Sequence, residues 1–294
     1  MLFFVQLING LQLGAIYALV ALGYTMVYGI VKLINFAHGD LMMVGAYLSL
    51  FLYSSGLPLY FALPLAIVAT SLTGVLIERV AYRPLRNASR LSALITAIGI
   101  SLLLQNAFMI LFSSTPRRFP SVSEQLPVFV IGTNRISFMA VLTVLFAVGL
   151  MLLLTAFVHG TRMGKAMRAV SEDMRAAQLM GINVNRIISL TFAIGSALAA
   201  FAAILYGFSF QQIDPYMGAM PGIKAFIAAV LGGIGILPGA MLGGFLLGII
   251  ESLTKAVMPA GYTQLADAVV FLVLILVLLF KPSGLLGQTT REKV

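Results

Sequence analysis

The sequence predicts an all-α membrane protein, a polytopic helix bundle that forms one domain over residues 1–294. Hydrophobic residues make up 61% of the chain, charged residues only 9%, and the mean hydropathy is +1.05. Soluble domains are about 45–50% apolar and about 25% charged, so this composition excludes a cytosolic enzyme and a disordered or fibrous chain. A spanning helix needs about 20 apolar residues, and the length therefore fits about eight or nine spans with short loops.

Apolar segments of spanning length occur at about 6–30, 58–80, 91–112, 136–158, 187–208 and 263–280. Two further apolar stretches are unusual. The stretch near 41–54 is too short to cross alone unless it continues back through 35–40. The stretch 223–258 is too long for one span and is interrupted between Gly235 and Gly239, so we expect two short segments joined at a turn.

Lys and Arg predict the orientation, because basic residues mark cytoplasmic loops. They are concentrated in 78–90, in 159–186 and in the tail with Lys281, Arg291 and Lys293, which places these segments and the C-terminus inside. The loops 113–135 and 209–222 then lie outside, provided that 223–258 enters the membrane and returns. We expect a periplasmic N-terminus with nine crossings, because Lys32 then faces the cytoplasm. The alternative is a cytoplasmic N-terminus with eight crossings and a re-entrant 36–55.

The two halves of the chain share a pattern that an inverted repeat would produce. Tyr28-Gly29 is followed by Ile34-Asn35 and Gly39, and Tyr206-Gly207 by Ile213-Asp214 and Gly218. In each half a long span precedes this element and two spans follow it. Two interpretations stay open: repeat halves at about 1–112 and 187–280, or a chance likeness among glycine-rich segments. Interrupted helices in matching positions of an inverted repeat indicate the substrate path of a transporter.

Enzymatic chemistry has little support in the residues. The chain has no cysteine, and its two histidines, His38 and His159, lie far apart. The string Gly160–Ala166 is one residue too short for a phosphate-binding loop and ends in Ala instead of Ser or Thr. We therefore predict a non-enzymatic chain with no metal and no cofactor of its own. If ATP drives its function, another chain binds the ATP.

Polar side chains inside apolar segments are costly in lipid and are therefore candidates for a translocation path. The alternative for each is a hydrogen bond between helices. Few of them are charged, which argues against a proton or sodium relay and favours a neutral substrate with an apolar side chain. The path candidates are Asn9, Gln12, Asn35, His38, Asp40, Gln105, Asn106 and Asp214.

Glycines four residues apart predict close helix packing, since small residues let helix backbones approach. We expect packing within the chain rather than a dimer face, and we consider Gly232, Gly233 and Gly235 for a pore lining. These glycines are Gly232, Gly233, Gly235, Gly239, Gly243, Gly244 and Gly248.

The linker 159–186 is long, polar and basic. Within it, residues 172–180 predict a short amphipathic helix with Glu172 and Asp173 in its first turn, where acids suit the helix dipole. Gly181 is the expected C-terminal stop. One interpretation is a helix that docks in a groove of an ATPase, and the alternative is a helix that lies on the lipid surface.

Several strings together carry a family resemblance: 6–19, 21–29, Ile34-Asn35-Phe36-Ala37-His38-Gly39-Asp40, 229–235, 238–244 and Lys281-Pro282-Ser283-Gly284-Leu285-Leu286-Gly287. Along its whole length the sequence resembles the H-type permease subunit of bacterial branched-chain amino-acid ABC transporters. The resemblance implies a single permease domain in the bacterial inner membrane that carries leucine, isoleucine or valine. It also implies four partners besides the lipid bilayer, namely a second homologous permease, two cytoplasmic ATP-binding subunits and a periplasmic binding protein, and no nucleic acid.

The resemblance also maps a coupling segment onto the 159–186 linker. Arg175 departs from the family motif, which has Glu at that position. Permeases for urea, short-chain amides or a broader set of amino acids stay open within the family, and a stand-alone secondary transporter is the alternative from another class. The coupling residues are Gly164, Arg168, Glu172, Asp173, Ala176, Ala177 and Gly181.

Overall fold

The computed structural model describes residues 2–86, 88–121, 127–131, 134–259 and 261–287. Within these residues the chain is an α-helical bundle with short strands only in its loops, which confirms the predicted fold class. The helices are α1 (Leu2–Val31), α2 (His38–Ser54), α3 (Leu59–Ile77) continued by a π-helical turn (Glu78–Tyr82), α4 (Arg90–Phe112), α5 (Phe138–Gly160), α6 (Arg162–Glu172), α7 (Met174–Leu179), α8 (Val184–Phe210), α9 (Ala219–Gly232), α10 (Leu237–Val257) and α11 (Leu265–Phe280).

Among the described residues, six helices are long and apolar enough to cross a membrane: α1, α3 with its π-helical turn, α4, α5, α8 and α10. Five of them match predicted spans within a few residues. The stretch 223–258 does form two segments, but the break lies at 233–236, earlier than expected, so that α10 is a full-length span and only α9 is short. The tail residues Arg291 and Lys293 lie outside the described residues.

Two short helices begin inside the bundle instead of at its surface. The 32–37 segment leaves the end of α1 and turns back, so that His38 lies beside Gly23 of α1. At 1.5 Å per residue, Gly23 is about 12 Å from the end of α1. From there α2 runs back toward the side of the bundle where α1 starts. The first turn of α9 meets the first turn of α2, because Gly218 and Gly222 lie against Gly39, and α9 runs in the opposite direction.

The helix contacts between the two halves of the chain follow the same pattern in both directions. Helix α1 packs on α9 and α10, while α8 packs on α2 and α3. Exchanging α1–α4 with α8–α11 turns the first set of contacts into the second. The inverted repeat stays a prediction, and this exchange is what such a repeat would produce.

Two short antiparallel strand pairs lie in the loops. The pair β1 (Arg117–Arg118) and β4 (Gln212–Ile213) joins the segment after α4 to the segment after α8. The pair β2 (Val128–Ile131) and β3 (Asn134–Ser137) leads into α5. The first pair brings the loops 113–135 and 209–222 together, in agreement with their assignment to one side of the membrane.

Glycines bring the central helices together. A Cβ at Gly244 would lie 2.5 Å from the Cα of Ala18, and Gly248 is packed against the backbone of Gly14. Gly232 and Gly239 pack on each other across the α9–α10 turn. Side chains at these positions would force the backbones apart, so the predicted packing within the chain is what the structure contains.

Of the three remaining predicted packing glycines, one packs α10 on α9 and two form the turn between these helices. Gly243 lies against the carbonyl of Ala228, whereas Gly233 and Gly235 form the turn with φ of 106° and 96°. The segment after α11 then closes this end of the bundle, because the amides of Leu285 and Leu286 donate to the carbonyls of Leu231 and Gly232. The last turn of α9 is therefore capped by chain from the C-terminal segment.

Candidate functional site

A cavity of about 270 Å³ lies where the first turns of α2 and α9 meet, and we call it the upper cavity. Its walls come from α1, the 32–37 segment, α2, α4 and α9. Most of its lining is apolar, with a few polar groups from α1, α2 and α4. The lining residues are Tyr24, Phe36, Gly39, Asp40, Ile98, Ser101, Leu102, Gln105, Gly218, Ala219, Gly222, Ile223 and Phe226.

Asp40 and Gln105, both predicted path candidates, meet in the upper cavity. Gln105 Nε2 donates to Asp40 Oδ1 at 2.8 Å and also reaches Ser101 Oγ at 3.3 Å. Asp40 is only 2% exposed. It lies in the first turn of α2, where the helix dipole stabilises a carboxylate. The structure therefore places one buried carboxylate at the edge of an otherwise mainly apolar cavity.

Both helix N-termini at the cavity lack a side-chain cap in the described residues: Ala37 caps α2 and Gly218 caps α9 without a side-chain hydrogen bond. A helix N-terminus carries the equivalent of roughly half a positive charge. The upper cavity thus combines two positive helix ends with the single carboxylate of Asp40.

Asn35 and Asp214, also predicted path candidates, do not line this cavity. Asn35 Oδ1 accepts from the amide of Ala37 at 3.1 Å, and Asp214 Oδ1 accepts from the amide of Tyr216 at 2.8 Å. Both are turns closed by a side chain two residues before the donor. Asn35 and Asp214, which are matched positions of the predicted repeat, therefore both stabilise the irregular segment that leads to a short helix.

The other predicted path candidates lie elsewhere. Asn9 and Gln12 line a separate cavity near the start of α1, where Gln12 donates to Ser209 Oγ at 2.8 Å. His38 is buried against Gly23 and stacks edge-on against Tyr24, at 4.7 Å between ring centroids. Asn106 donates to the carbonyl of Leu102 in its own helix and is exposed. Of the eight candidates, the upper cavity brings together only Asp40 and Gln105.

A buried charge cluster was missed by the sequence reasoning. Lys224 Nζ lies 2.9 Å from Glu251 Oε1 and 2.6 Å from Asp267 Oδ1, so it joins α9 to α10 and α11. Lys255 Nζ also contacts Glu251 Oε1, at 2.6 Å, and the Tyr17 hydroxyl donates to Glu251 Oε2 at 2.9 Å. The available signal was one Lys, one Glu and one Asp in three successive apolar segments, which pair because lone charges there are costly.

The 159–186 linker folds differently from the prediction. Residues 172–180 are not one helix, because the backbone is extended at Asp173 (φ −148°) and separates α6 from α7. Glu172 therefore ends α6, and Asp173 is the N-cap of α7 instead of a first-turn residue. Its Oδ1 accepts from the amides of Arg175 at 2.7 Å and Ala176 at 3.0 Å, and these bonds hold the pKa of Asp173 below its usual value.

The ends of this linker are anchored to the bundle. Gly164 packs against the carbonyl of Val158, to which the Arg168 guanidinium also donates, so α6 is fixed to the end of α5. After α7, Gly181 has φ of 82°, as expected of a helix stop, and the amide of Ile182 donates back to the carbonyl of Ala177 at 3.0 Å.

Helix α7 presents an apolar tip to its surroundings. Ala177 is buried against the bundle, while Leu179 is 89% and Met180 83% exposed. A polar basin beside the tip includes Arg83, Arg86 and Arg175. An apolar tip therefore lies exposed beside a group of cations, of which Arg86 is paired with the buried Glu78.

Comparison with known proteins gives one consistent family. The family model described as branched-chain amino acid transport system, permease component, matches residues 6–278. The chain is 48% identical to the high-affinity branched-chain amino acid transport system permease protein BraD of Pseudomonas aeruginosa, over 98% of this chain and 97% of the relative. It is 47% identical to LivH of Escherichia coli K12, with the same description, over 99% and 98%.

A more distant match is the ribose import permease protein RbsC of Escherichia coli K12, at 26% identity over 92% of this chain and 85% of the relative. No solved structure gives a significant match. All these relatives are described as transport permeases, and this confirms the predicted resemblance and the prediction of a non-enzymatic, multi-pass membrane subunit. The chain belongs to the branched-chain amino acid transport system permease family.

Proposed function

We propose that this protein is the permease subunit through which leucine, isoleucine and valine cross the bacterial inner membrane in an ABC importer. The observation that carries the proposal is the upper cavity at the meeting point of α2 and α9. Broken helices whose ends meet inside the membrane form the substrate sites of many transporters. The names of the relatives supply the substrate class.

The chemistry of the upper cavity suits a zwitterion with an apolar side chain. Asp40 is a partner for an ammonium group, and the two uncapped helix ends are partners for a carboxylate. Ile98, Leu102 and Phe226 provide an apolar wall for a branched side chain. The cavity therefore offers one contact to each part of such an amino acid.

A sugar or urea fits this lining less well. Each hydroxyl or amide group that enters an apolar cavity without a hydrogen-bond partner costs free energy. The polar side chains in the lining are Tyr24, Asp40, Ser101 and Gln105, and Gln105 already bonds to Asp40. A substrate test therefore needs to compare branched-chain amino acids with ribose, which the name of the distant relative gives, and with urea.

We assign the remaining subunits to the functions that this chain is not expected to perform and to the surfaces that it leaves exposed. Two cytoplasmic ATPases bind the ATP, and a periplasmic binding protein delivers the substrate to the side where α1 begins, with the C-terminus in the cytoplasm. A second, homologous permease covers the open side of the upper cavity, where Ile98, Leu102 and Ile223 are exposed. The buried carboxylate nearby makes lipid a poor cover for that side.

We assign ATPase coupling to the linker between α5 and α8. Leu179 and Met180 insert into the ATPase groove, whereas Arg83 and Arg175 face acidic residues at its rim.

Gly164 and Arg168 transmit the movement to α5, and Asp173 and Gly181 fix the two ends of α7. Glu172, Ala176 and Ala177 complete the segment, with Ala177 as its contact to the bundle.

Removing the cap of α7 is expected to weaken coupling. In Asp173→Ala the amides of Arg175 and Ala176 lose their acceptor, and ATPase activity stimulated by the binding protein falls roughly fivefold. Asp173→Asn is the matched control, because Asn is an equally good N-cap and keeps the activity. Equal activity of the Ala and Asn variants would show that the cap is irrelevant to docking.

The same cap also predicts how coupling, measured as ATPase activity stimulated by the binding protein, depends on pH. Because the folded pKa of Asp173 is lowered, its stabilisation is fully present above the unfolded pKa of about 3.9 and is lost only as the pH falls through the lowered value. Between about pH 6 and pH 8 Asp173 therefore contributes no change in coupling.

The proposed function is tested by mild affinity purification from native membranes, followed by reconstitution in proteoliposomes. We expect two ATPase chains and a second permease to co-purify, and ATP to drive uptake of radiolabelled leucine, isoleucine and valine but not of ribose or urea. A chain that purifies alone and transports without ATP, with uptake abolished by an uncoupler, would instead be a secondary transporter. An ATP-driven uptake of ribose or urea only would leave the assembly intact and overturn the substrate.

A further inference from the structure

A second cavity, of about 400 Å³, lies on the other side of Phe36 from the upper cavity. We call it the lower cavity. It is lined by the end of α1, the 32–37 segment and the start of α4, namely Tyr28, Lys32, Leu33, Ile34, Phe36, Ala93 and Leu94. Phe36 is the residue that the linings of the upper and lower cavities share.

The backbone around Phe36 is fixed. Asn35 is buried, and its Oδ1 accepts from the amide of Ala37 at 3.1 Å and from the Tyr82 hydroxyl at 2.8 Å. Lys32, at the start of the segment, takes the left-handed conformation with φ of 58° and donates its amide to the carbonyl of Tyr28. Movement of the whole segment would therefore break several buried hydrogen bonds.

The ring of Phe36 is less constrained than its backbone. It is half-buried and packs against Phe226 of α9, with 5.7 Å between ring centroids. Phe226 in turn packs on Tyr24, at 5.9 Å. The aromatic contact of Phe36 with α9 is this pair of rings, which a rotation about the side-chain bonds can separate at modest cost.

Opposite charges lie on the two sides of this ring. Asp40 lines the upper cavity and Lys32 the lower cavity, each four residues from Phe36. Lys32 is exposed, and its side chain enters no ion pair among the described residues. A zwitterion that passes Phe36 leaves a carboxylate and meets an ammonium group, with the apolar ring between them.

We propose that Phe36 is the inner gate of the translocation path, closed in this structure against Phe226, and that it opens by rotation of its ring. The inference rests on the proposed function for the identity of the substrate and on the predicted orientation for the side that the lower cavity faces. The gate itself is a property of the two cavities and can be tested without the substrate.

The chain has no cysteine, so a single introduced thiol reports on the gate. We would place it in the upper cavity as Ser101→Cys, in the purified complex reconstituted with its cytoplasmic face outward. The probe is a membrane-impermeant, cationic methanethiosulfonate, and its addition to this chain is followed by mass. Loss of the aromatic contact in Phe36→Ala is expected to accelerate labelling of this upper-cavity thiol about tenfold.

Two controls separate a gate from general loosening. Phe51→Ala removes a ring of α2 that is 54% exposed and lines neither cavity, and it should leave the labelling rate unchanged. A lower-cavity thiol, introduced as Leu94→Cys, should react rapidly with or without Phe36→Ala. Phe226→Ala removes the other half of the aromatic pair and should also accelerate labelling of the upper-cavity thiol, so the test does not depend on the folding of one variant.

The gate would be overturned if the upper-cavity thiol is labelled equally fast in the parent, Phe36→Ala and Phe226→Ala backgrounds while the lower-cavity thiol reacts rapidly. A substrate readout is separate. Proteoliposomes loaded with leucine but lacking ATP should leak faster with Phe36→Ala than with Phe51→Ala. If the unmodified complex transports no branched-chain amino acid with ATP, the proposed function fails, whereas the labelling result still decides the gate.

Discussion

Lys224→Met is expected to lower the free energy of unfolding by about 3 kcal/mol, because the buried Glu251 loses its one buried cation and keeps only the half-exposed Lys255. Asp267 adds less to this loss because its side chain is 34% exposed. The Lys224 side chain is 6% exposed and contacts both Glu251 and Asp267. Methionine keeps the length and apolar stem of lysine, so the loss measures the charge. Reversible unfolding in mixed detergent micelles gives the free energy.

Lys255→Met is the matched control for this experiment. Lys255 contacts the same Glu251 oxygen from the same helix, but its side chain is 45% exposed. Exposed pairs contribute about 1 kcal/mol or less, so the control should cost little. Similar small losses in both variants would mean that the cluster is solvated and does not hold α9.

The expected loss of stability should also affect transport, because one face of α9 contacts the charge cluster and another lines the upper cavity. Lys224 is bound to α10 and α11, while Gly222, Ile223 and Phe226 line the upper cavity. A helix places residues two apart about 200° around its axis from one another. The charge cluster thus fixes the depth and rotation of α9 from behind, and we expect the uptake defect of Lys224→Met to follow its loss of stability.

The sequence predicted five of the six helices of spanning length within a few residues, because lipid imposes a length on apolar segments that one chain displays directly. The remaining predicted span, 263–280, is the 16-residue α11, which is shorter than the six. It also predicted the interruption between α9 and α10, since Gly235 and Pro238 punctuate an otherwise continuous apolar run. It did not predict that Asp173 divides the coupling segment. Asp suits both a first helical turn and an N-cap, and only the backbone conformation decides between them.

The candidate site was only partly accessible from sequence for a related reason. A polar residue near a helix interruption can face a substrate or hold the chain that forms the interruption. Asp40 and Asn35 lie in one short string, yet Asp40 lines the upper cavity and Asn35 closes a turn. The partners that distinguish them, Gln105 and Tyr82, come from α4 and from the π-helical turn after α3. Pairing across such sequence distances is not encoded in local periodicity.

The crossing of α2 and α9 supports the second large prediction, which is that Gly39→Val reduces ATP-driven leucine uptake by at least about 100-fold. A Cβ at Gly39 would lie 2.5 Å from the carbonyl oxygen of Gly218 and 2.9 Å from the Cα of Gly222. Both neighbours are backbone atoms, so relief requires the two first turns to separate. Separation displaces Asp40 from Gln105 and changes the shape of the upper cavity, where a small misplacement of binding groups is costly.

Gly99→Val is the matched control for this substitution. Gly99 lies in α4, one position from Ile98 of the cavity lining, and a Cβ there would meet no atom within 4 Å. Uptake is normalised to the amount of assembled complex, and ATPase activity of the same complex is measured alongside. We expect Gly39→Val to keep ATP hydrolysis in an assembled complex that no longer moves leucine, because none of the coupling residues lines the upper cavity. Normal uptake by Gly39→Val would show that the substrate does not pass the place where the first turns of α2 and α9 meet.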